Sequence, residues 1–217
     1  MKRFLVLGLG RFGSSVARAL SRLGHEVTGV DRDPAVVESQ SSILARAVKG
    51  DATNVEVLRS LSVREFDVAV VAIGGETEAS LTATLLLKEL GVNQVVAKAS
   101  TDFHGRILGR IGADRIVFPE RDMGLRVAYS LASSNFLDFI ELSPDLSIVE
   151  ITPPPAMVGR SLRQLDLRAK YGVNVVVMRK GGTVKVSPRA DEVIEAGDVL
   201  VVIGHIDSIR GLQRMQA

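Results

Sequence analysis

The stretch FLVLGLGRFGSSVARAL, from Phe4 to Leu20, decides the fold of the first half of the chain. Apolar residues from Phe4 to Leu7 predict a buried β-strand, three glycines follow, and apolar residues then recur at helical spacing from Gly13 onward. A strand, a glycine turn and a helix in this order are typical of nucleotide-binding domains. The stretch therefore raises the question of whether a nucleotide serves here as a reagent or as a signal.

Composition and charge restrict the class of protein. The chain has 217 residues, 46% of them apolar, which suits one large domain or two small ones with buried cores. It contains no cysteine, which excludes disulfides, thiolate metal sites and cysteine nucleophiles. The net charge is only +2, from 27 basic and 25 acidic residues, and this balance gives no support to nucleic-acid binding.

Strand and helix patterns alternate through the first half of the chain. Strands are predicted at Phe4–Leu7, Val27–Val30, Ala47–Val48, Val68–Ile73, Val95–Ala97 and Arg115–Phe118. Helices are predicted between them at Gly13–Leu23, Pro34–Ser41, Val55–Leu61, Glu76–Leu90 and Phe103–Ile111. This alternation predicts an α/β fold, a Rossmann-like doubly wound parallel sheet with helices on both faces.

The pattern changes after Pro119. One amphipathic helix is predicted over Arg121–Ser134, with Met123, Val127 and Leu131 in one apolar stripe. Further on, the pattern predicts strands at 147–151, Val173–Arg179, Thr183–Val186 and Val199–Ile203, and a short helix at Leu162–Ala169. We therefore expect a Rossmann domain over 1–135, including the amphipathic helix, and a smaller α+β lobe over 136–217.

The segment GLGRFG fits the dinucleotide-binding motif G-x-G-x-x-G. Gly8 permits the tight turn, Gly10 lets the backbone approach a pyrophosphate, and Gly13 lets the helix pack against the strand. The helix N-terminus then presents free N–H groups to the phosphates. Phe12 lies inside the motif and belongs to the predicted site. Arg11 suits extra phosphate charge such as that of ATP or ADP, the alternative being a solvated arginine folded over the loop.

Acidic residues follow the next two strands. Asp31 lies where a carboxylate accepts hydrogen bonds from ribose hydroxyls. Arg32 suggests a 2′-phosphate, but Asp31 would repel it, so an unphosphorylated ribose is favoured. Asp51 could accept a hydrogen bond from the adenine amino group, the alternative being helix capping in this loop by Thr53 or Asn54. Residues of the same two loops and of the end of the fourth strand complete the predicted crevice: Ala52, Thr53, Ile73 and Gly74.

A catalytic group is not evident in the sequence. His25, His104 and His205 are the only histidines, and none is paired with an acid at an interpretable spacing. No hydrolase, metalloprotease or Walker motif occurs. A binding function is therefore favoured over an enzymatic one. The alternative is a small NAD-dependent oxidoreductase, which would need a proton-transfer residue near the nicotinamide.

The sequence resembles the cytosolic RCK-type regulators of Ktr/Trk potassium uptake systems, most closely their adenine-nucleotide-sensing Ktr subunits. The resemblance spans essentially the whole chain. The segments that carry it are GLGRFG, LGHEVTGVDRDP, GDAT, VVAIG, TLLLKELGV, HGRILGRIGADRIVFPERDMG and LRAKYG. Ordinary dehydrogenases lack the segment IGADRIVFPERDMG, so this segment and GLGRFG are the most specific.

The resemblance implies a role for each matching residue. Arg11 would contact the terminal phosphates of ATP, Asp31 the ribose and Asp51 the adenine. Lys98 matches a family lysine near the nucleotide. Glu120 matches a glutamate that approaches a divalent cation, Mg²⁺ or Ca²⁺, at the γ-phosphate of ATP in a neighbouring subunit. The nucleotides implied are ATP and ADP, with NAD or NADH as further candidates.

The resemblance also implies an assembly and a place in the cell. The helix from Arg121 would join two protomers, and the family forms octameric rings beneath a membrane potassium channel or transporter. The protein would thus be cytoplasmic, at the inner face of the membrane through its Ktr/Trk-type partner, and it would gate that partner.

A second ligand site is implied for the C-terminal lobe. Related subunits bind cyclic di-AMP there, at a dimer interface. The matching positions are Leu162, Leu167, Arg168, Asn174 and Pro188. The family often has isoleucines where this chain has leucines. Arg168 has an alternative role as a basic residue at a helix C-terminus.

Overall fold

The structure is a computed structural model that describes residues 1–132, 136–143 and 145–213. The chain divides into two units, Met1–Arg121 and Asp122–Ala217, with the division inside a helix. The predicted domain boundary after residue 135 stays a prediction, and residue 135 itself lies outside the described residues.

A six-stranded parallel sheet forms the first unit. Its strands are β1 Arg3–Leu7, β2 Glu26–Asp31, β3 Arg46–Lys49, β4 Val68–Val71, β5 Gln94–Lys98 and β6 Arg115–Val117. Five helices connect them: α1 Arg11–Arg22, α2 Pro34–Ser41, α3 Val55–Ser60, α4 Thr77–Glu89 and α5 Asp102–Arg110. The strand order is β3-β2-β1-β4-β5-β6, and every neighbouring pair is parallel.

Apolar residues cover both faces of this sheet. Leu5 and Leu7 of β1 pack in one core, whereas Val6 between them packs in the other. In β4, Val71 packs in the same core as Leu5 and Leu7, and Val70 packs in the same core as Val6. Because side chains alternate between the faces of a strand, consecutive apolar residues fill both cores, as expected for a parallel sheet covered on both sides. The predicted Rossmann-like fold class is confirmed.

The strand order also fixes where a ligand can enter. The chain moves outward from β1 to β2 and β3 on one side, then crosses to β4 on the other. The crossovers to the two sides diverge at β1, and a crevice opens at the carboxyl ends of β1 and β4. Gly8 and Gly10 of the glycine motif lie in the β1–α1 loop, at this crevice, and Gly13 lies in the first turn of α1.

Helix α6, Pro119–Ala132, begins in the first unit and continues into the second. None of its residues is buried within the described chain. The predicted extension to Ser134 lies outside the described residues. No helix in the described ranges is long and apolar enough to cross a membrane.

An antiparallel sheet forms the second unit, in agreement with the predicted α+β lobe. Its strands are β7 Phe136–Ser143, β8 Leu146–Ile151, β9 Asn174–Lys180, β10 Thr183–Val186 and β11 Val199–Gly204, in the order β10-β9-β11-β8-β7. Its helices after α6 are α7 Leu162–Leu165, α8 Leu167–Tyr171 and α9 Ile206–Gln213. In β8 and β11, alternate residues are buried, and the apolar side chains among them contribute to a single core.

The helix predicted over Leu162–Ala169 is wrong as a single element. Asp166 adopts a left-handed conformation, φ 46° and ψ 47°, and separates α7 from α8. Leu165 and Leu167 on either side are both buried in the same core. Residues two apart on a continuous helix point in nearly opposite directions, so the break lets both leucines face inward. Aspartate tolerates the left-handed region better than most residues.

Candidate functional site

A cleft of about 410 Å³ lies at the carboxyl edge of the parallel sheet. The loops that follow β1, β2, β3 and β4 line it, as expected for the ligand site of an open α/β sheet. Most of the predicted nucleotide residues are brought together here: Gly8, Gly10, Asp31, Arg32, Asp51, Ala52, Thr53, Ile73 and Gly74.

Two of the three glycines of the motif cannot be replaced without strain, Gly8 because of its backbone conformation and Gly13 because of close packing. Gly8 has φ +89°, and its N–H donates to the carbonyl of Val30 at 2.8 Å. A Cβ at Gly13 would lie 1.9 Å from the carbonyl oxygen of Gly8. A Cβ at Gly10 would meet nothing within 4 Å. Gly10 is also the N-cap of α1 and supplies no capping side chain, so space beside the helix N-terminus remains for a phosphate.

Backbone N–H groups hold the carboxylate of Asp31 at the end of β2. Its Oδ2 accepts a hydrogen bond from Leu9 N at 2.6 Å, and its Oδ1 accepts one from Asp33 N at 2.9 Å. The carboxylate thus links the glycine loop to the β2–α2 turn. Each carboxylate oxygen can accept a further hydrogen bond, and the contact with ribose hydroxyls stays a prediction.

Asp51 is ordered by its own loop. Its Oδ1 accepts hydrogen bonds from Thr53 N at 2.8 Å and Thr53 Oγ1 at 2.7 Å. These bonds hold the pKa of Asp51 below its ordinary value, so the group stays ionised at neutral pH. Asn54 rather than Thr53 caps α3, because its side chain accepts from Glu56 N at 2.9 Å. Asp51 therefore lines the cleft without serving as the cap.

Lys98 and Glu120 pair beside the cleft rather than inside it. Nζ of Lys98 lies 2.5 Å from Oε1 of Glu120. The same ammonium lies 5.9 Å from the centre of the Phe12 ring and would lie 2.8 Å from a Cβ at Gly74. The predicted residues Lys98, Glu120 and Phe12 are thus brought together next to Gly74, which lines the cleft.

The hydrogen bond from Lys98 is the main cause that holds the pKa of Glu120 below its ordinary value, and the charge of Arg11 adds to it. Arg11 is exposed at the start of α1 and is close enough to Glu120 for this effect. We call Arg11, Lys98 and Glu120 the charged cluster. Two cations and one carboxylate therefore lie at the phosphate end of the predicted site.

Sequence reasoning missed Glu76. It precedes α4, lines the cleft and forms an ion pair with Arg32, whose Nη1 lies 3.1 Å from Oε2. This pairing raises the pKa of Arg32, with a smaller contribution from the carboxylates of Asp51 and Asp31. The signal in the sequence was a carboxylate three residues after the predicted fourth strand, at the same sheet edge as Asp31.

The three histidines do not line this cleft. His104 is buried on α5, where Nδ1 contacts Ser100 Oγ at 3.2 Å. His25 packs against Phe4, with 5.2 Å between ring centres, and His205 lies in the second unit. Among the described residues, no group of three or more carboxylates or imidazoles could hold a metal ion by itself.

Comparison with known families decides the relationship. Residues 4–119 match the TrkA-N domain, and residues 146–217 match the TrkA-C domain. The chain belongs to the TrkA-N/TrkA-C family. It is 47% identical over 213 residues to the Ktr system potassium uptake protein C of Bacillus subtilis (strain 168), covering 98% of this chain and 96% of the relative. It is 41% identical over 209 residues to the Ktr system potassium uptake protein A of the same organism, covering 96% of this chain and 94% of the relative. The resemblance to Ktr/Trk regulators is thereby confirmed.

Solved structures support the fold of this TrkA-N/TrkA-C chain. The GsuK RCK domain superimposes with a TM-score of 0.69 at 19% identity, over 100% of this chain and 48% of that one. The GsuK channel bound to NAD gives a TM-score of 0.71 at 19% identity, over 100% of this chain and 40% of that one. The chain therefore spans less than half of either protein. At this identity the likeness shows the fold alone.

In the TrkA-C part, the residues predicted for cyclic di-AMP differ in exposure. Leu167 is 4% exposed and belongs to the core, and Leu162 packs against that core. Arg168 and Asn174 are exposed, on α8 and at the start of β9, and Pro188 is half-buried. Arg168 is in the last turn of α8, where its charge favours the helix C-terminus. Ligand contact at these positions stays a prediction.

Proposed function

We propose that this chain is a regulatory subunit that binds an adenine nucleotide and responds to the number of its phosphates. The observation that carries the proposal is the charged cluster beside a cleft of Rossmann type. Asp31 and Asp51 would hold the ribose and adenine, which ATP, ADP and NADH share. We expect the terminal phosphates, by which ATP and ADP differ, to lie at the cluster, which would then discriminate between them.

Lys98 supplies the proposed switch. Its side chain is only 11% exposed, and its ammonium is bonded to Glu120. A terminal phosphate near Gly74 would compete with Glu120 for this ammonium, because a phosphate carries more charge and more acceptor oxygens than a carboxylate. Loss of this partner would release Glu120, which lies in the first turn of α6. Since α6 continues into the second unit, the release reaches a helix shared by both units.

The donor set fits a divalent cation bound together with the nucleotide. Glu120 is ionised, 69% exposed on its side chain, and supplies one hard oxygen ligand. Mg²⁺ commonly uses one or two carboxylates together with substrate phosphates and water. Glu120 would therefore hold Mg²⁺ or Ca²⁺ with the phosphates of ATP, including those of a neighbouring subunit.

The partner that we propose is a potassium-translocating membrane protein. The Ktr relatives are named as potassium uptake proteins, and the described helices provide no membrane span. We infer that the chain acts at the inner face of the membrane, as a ring of dimers with eight copies, and gates the partner. A ligand shifts the equilibrium between an open and a closed partner only if it binds the two corresponding states of the ring with different affinity.

We further propose that the TrkA-C part binds cyclic di-AMP through Arg168 and Asn174.

Calorimetric titration with ATP, ADP and NADH tests the sensor proposal. Arg11→Ala should weaken ATP more than ADP or NADH, by up to about tenfold, because it removes a charge next to the terminal phosphates. Arg22→Ala, at the other end of α1, is the matched control and should change none of the three affinities. Equal losses for ATP and ADP in Arg11→Ala would make the cluster a general phosphate site and would contradict the sensor.

A further inference from the structure

Arg32 and Glu76 connect two sides of the cleft. Arg32 follows β2, Glu76 follows β4, and these strands flank β1 in the sheet. Both guanidinium Nη atoms donate to Glu76, with Nη1 3.1 Å from Oε2 and Nη2 bonded to Oε1. Both residues line the cleft. Arg32, which directly follows Asp31, is thus bonded to a residue forty-four positions further along the chain.

This guanidinium is the single cationic group among the described residues that line the cleft. Four carboxylates line it as well, those of Asp31, Asp33, Asp51 and Glu76. An arginine near the ribose is the usual partner of a 2′-phosphate in dinucleotide-binding domains. Here that arginine is held by a carboxylate in a two-point contact. A 2′-phosphate would meet an excess of negative charge and an arginine that is already bonded.

We infer that Glu76 is a specificity residue that makes the cleft reject nucleotides with a 2′-phosphate. Asp31 disfavours such nucleotides by repulsion, whereas Glu76 acts by occupying the group that would attract them. The two effects are separable, because Asp31 is fixed by Leu9 N and Asp33 N and does not contact Arg32 by a described hydrogen bond. The inference rests on the proposed nucleotide-binding function and extends it to the ribose.

NADH and NADPH are the probes, because they differ only in the 2′-phosphate. Glu76→Gln keeps the size of the side chain and removes its charge. Glu76 makes no capping hydrogen bond to α4, so this change should leave the fold intact. The matched control is Glu78→Gln, in the first turn of the same helix and outside the cleft lining. The double variant Arg32→Ala/Glu76→Gln tests whether any gain passes through Arg32.

The wild-type protein is expected to bind NADH more tightly than NADPH. Glu76→Gln should tighten NADPH by about fivefold, the upper range for a solvent-exposed charge pair, while NADH changes by less than about twofold. Glu78→Gln should keep the wild-type ratio, and Arg32→Ala/Glu76→Gln should lose the gain. Affinities from NADH and NADPH fluorescence titration, with calorimetry as a second measurement, give these ratios.

Three outcomes would overturn the inference and leave nucleotide binding standing. They are equal wild-type affinities for NADH and NADPH, an unchanged ratio in Glu76→Gln, and a gain for NADPH that persists without Arg32. A different result, in which the wild-type protein binds none of ATP, ADP and NADH, would instead contradict the proposed function itself. Thermal unfolding of each variant identifies any that fail to fold.

Discussion

Lys98 and Glu120 form an ion pair that joins the end of β5 to the first turn of α6, with Nζ 2.5 Å from Oε1. The lysine is nearly buried, whereas the glutamate is mostly exposed. Moving the ammonium of a mostly buried lysine away from its carboxylate is costly unless another anion replaces that carboxylate. The pair is therefore the part of the charged cluster that a phosphate can alter most directly.

Replacing Glu120 by glutamine should remove the cation dependence of ATP binding. In chelator, Glu120→Gln should bind ATP as tightly as the wild type or a few-fold more tightly, because Lys98 is no longer shared. Added Mg²⁺ should tighten ATP in the wild type and not in the variant, since an amide oxygen is a poorer ligand for a hard cation. Calorimetry with and without Mg²⁺ measures this. ADP should change little in either condition.

Glu120→Asp is the control for charge. It keeps an anionic oxygen and should retain part of the response to Mg²⁺. A Glu120→Gln variant that responds to Mg²⁺ like the wild type would remove Glu120 from the cation site.

Gly74 gives space to Lys98. A Cβ at Gly74 would lie 2.8 Å from Nζ of Lys98, whereas a Cβ at Gly75 would meet nothing within 4 Å. Because Nζ is the end of a flexible chain, Gly74→Ala should displace the ammonium and cost less than about 1 kcal/mol of unfolding free energy. It should weaken ATP several-fold more than Gly75→Ala does in a parallel titration, because Gly75 also lines the cleft but a methyl group there leaves Lys98 in place. Equal affinities for the two variants would contradict a role for Lys98 at the phosphates.

The glycine loop provides a second matched pair. Gly13→Ala places a methyl group against the Gly8 carbonyl oxygen and should cost about 3 kcal/mol or more of unfolding free energy. Gly10→Ala has open space and should cost no more than about 1 kcal/mol, the usual range for an N-cap change. Its methyl group should nevertheless weaken phosphate binding by about tenfold or more. Denaturant unfolding and ATP titration separate the two effects. A Gly10→Ala variant with normal ATP affinity would exclude phosphate contact at this position.

The local part of the site could be predicted from the sequence. The glycine loop and Asp31 follow from motif spacing within one strand-turn-helix-strand unit, so no knowledge of the sheet is needed. Glu76 could not be paired with Arg32 in this way, because the pairing depends on β2 and β4 flanking β1. Lys98 and Glu120 were both predicted, but their mutual bond follows from the adjacency of β5 and β6.

The second unit shows the limits of pattern reading. Strand β7 and helix α9 are not among the predicted elements. In β7, Leu137, Ile140 and Leu142 are exposed although they are apolar. Apolar residues therefore do not mark the buried face of this strand, and the sequence lacks the alternation that predicts a strand. The break at Asp166 was missed for a related reason. The left-handed conformation of Asp166 lets Leu165 and Leu167 pack in one core. Helix propensity contains no information about such packing, so it predicts one continuous helix.

His104 should make stability depend on pH. It is 2% exposed, and its Nε2 has no hydrogen-bond partner among the described residues. Burial lowers its pKa below the ordinary value near 6.5, so the folded state favours the neutral ring. The corresponding stability is present above pH 6.5 and is lost as the pH falls from there toward the folded-state pKa.

Denaturant unfolding of the wild type and of His104→Gln between pH 7.5 and 5.5 tests this. The difference between the two proteins should shrink on acidification, by at most about 1.4 kcal/mol per pH unit. The comparison cancels the groups that titrate equally in both proteins. A difference that stays constant over this range would show that the ring does not titrate differently in the folded state.

Helix α6 is expected to hold protomers together. Met123, Val127 and Leu131 lie on one stripe and are 54%, 48% and 81% exposed, although each is apolar. Covering such side chains is worth about 1.5–3 kcal/mol each when burial is complete, so a second copy of the same stripe is a favourable partner. Met123→Glu/Leu131→Glu should therefore give smaller species than the wild type by light scattering. Ala128→Glu/Ala132→Glu, which adds the same charge about 120° around α6 from the stripe, should keep the wild-type mass. A stripe variant that keeps the wild-type mass would contradict the interface and, with it, the proposed transmission of nucleotide binding through α6 in a ring.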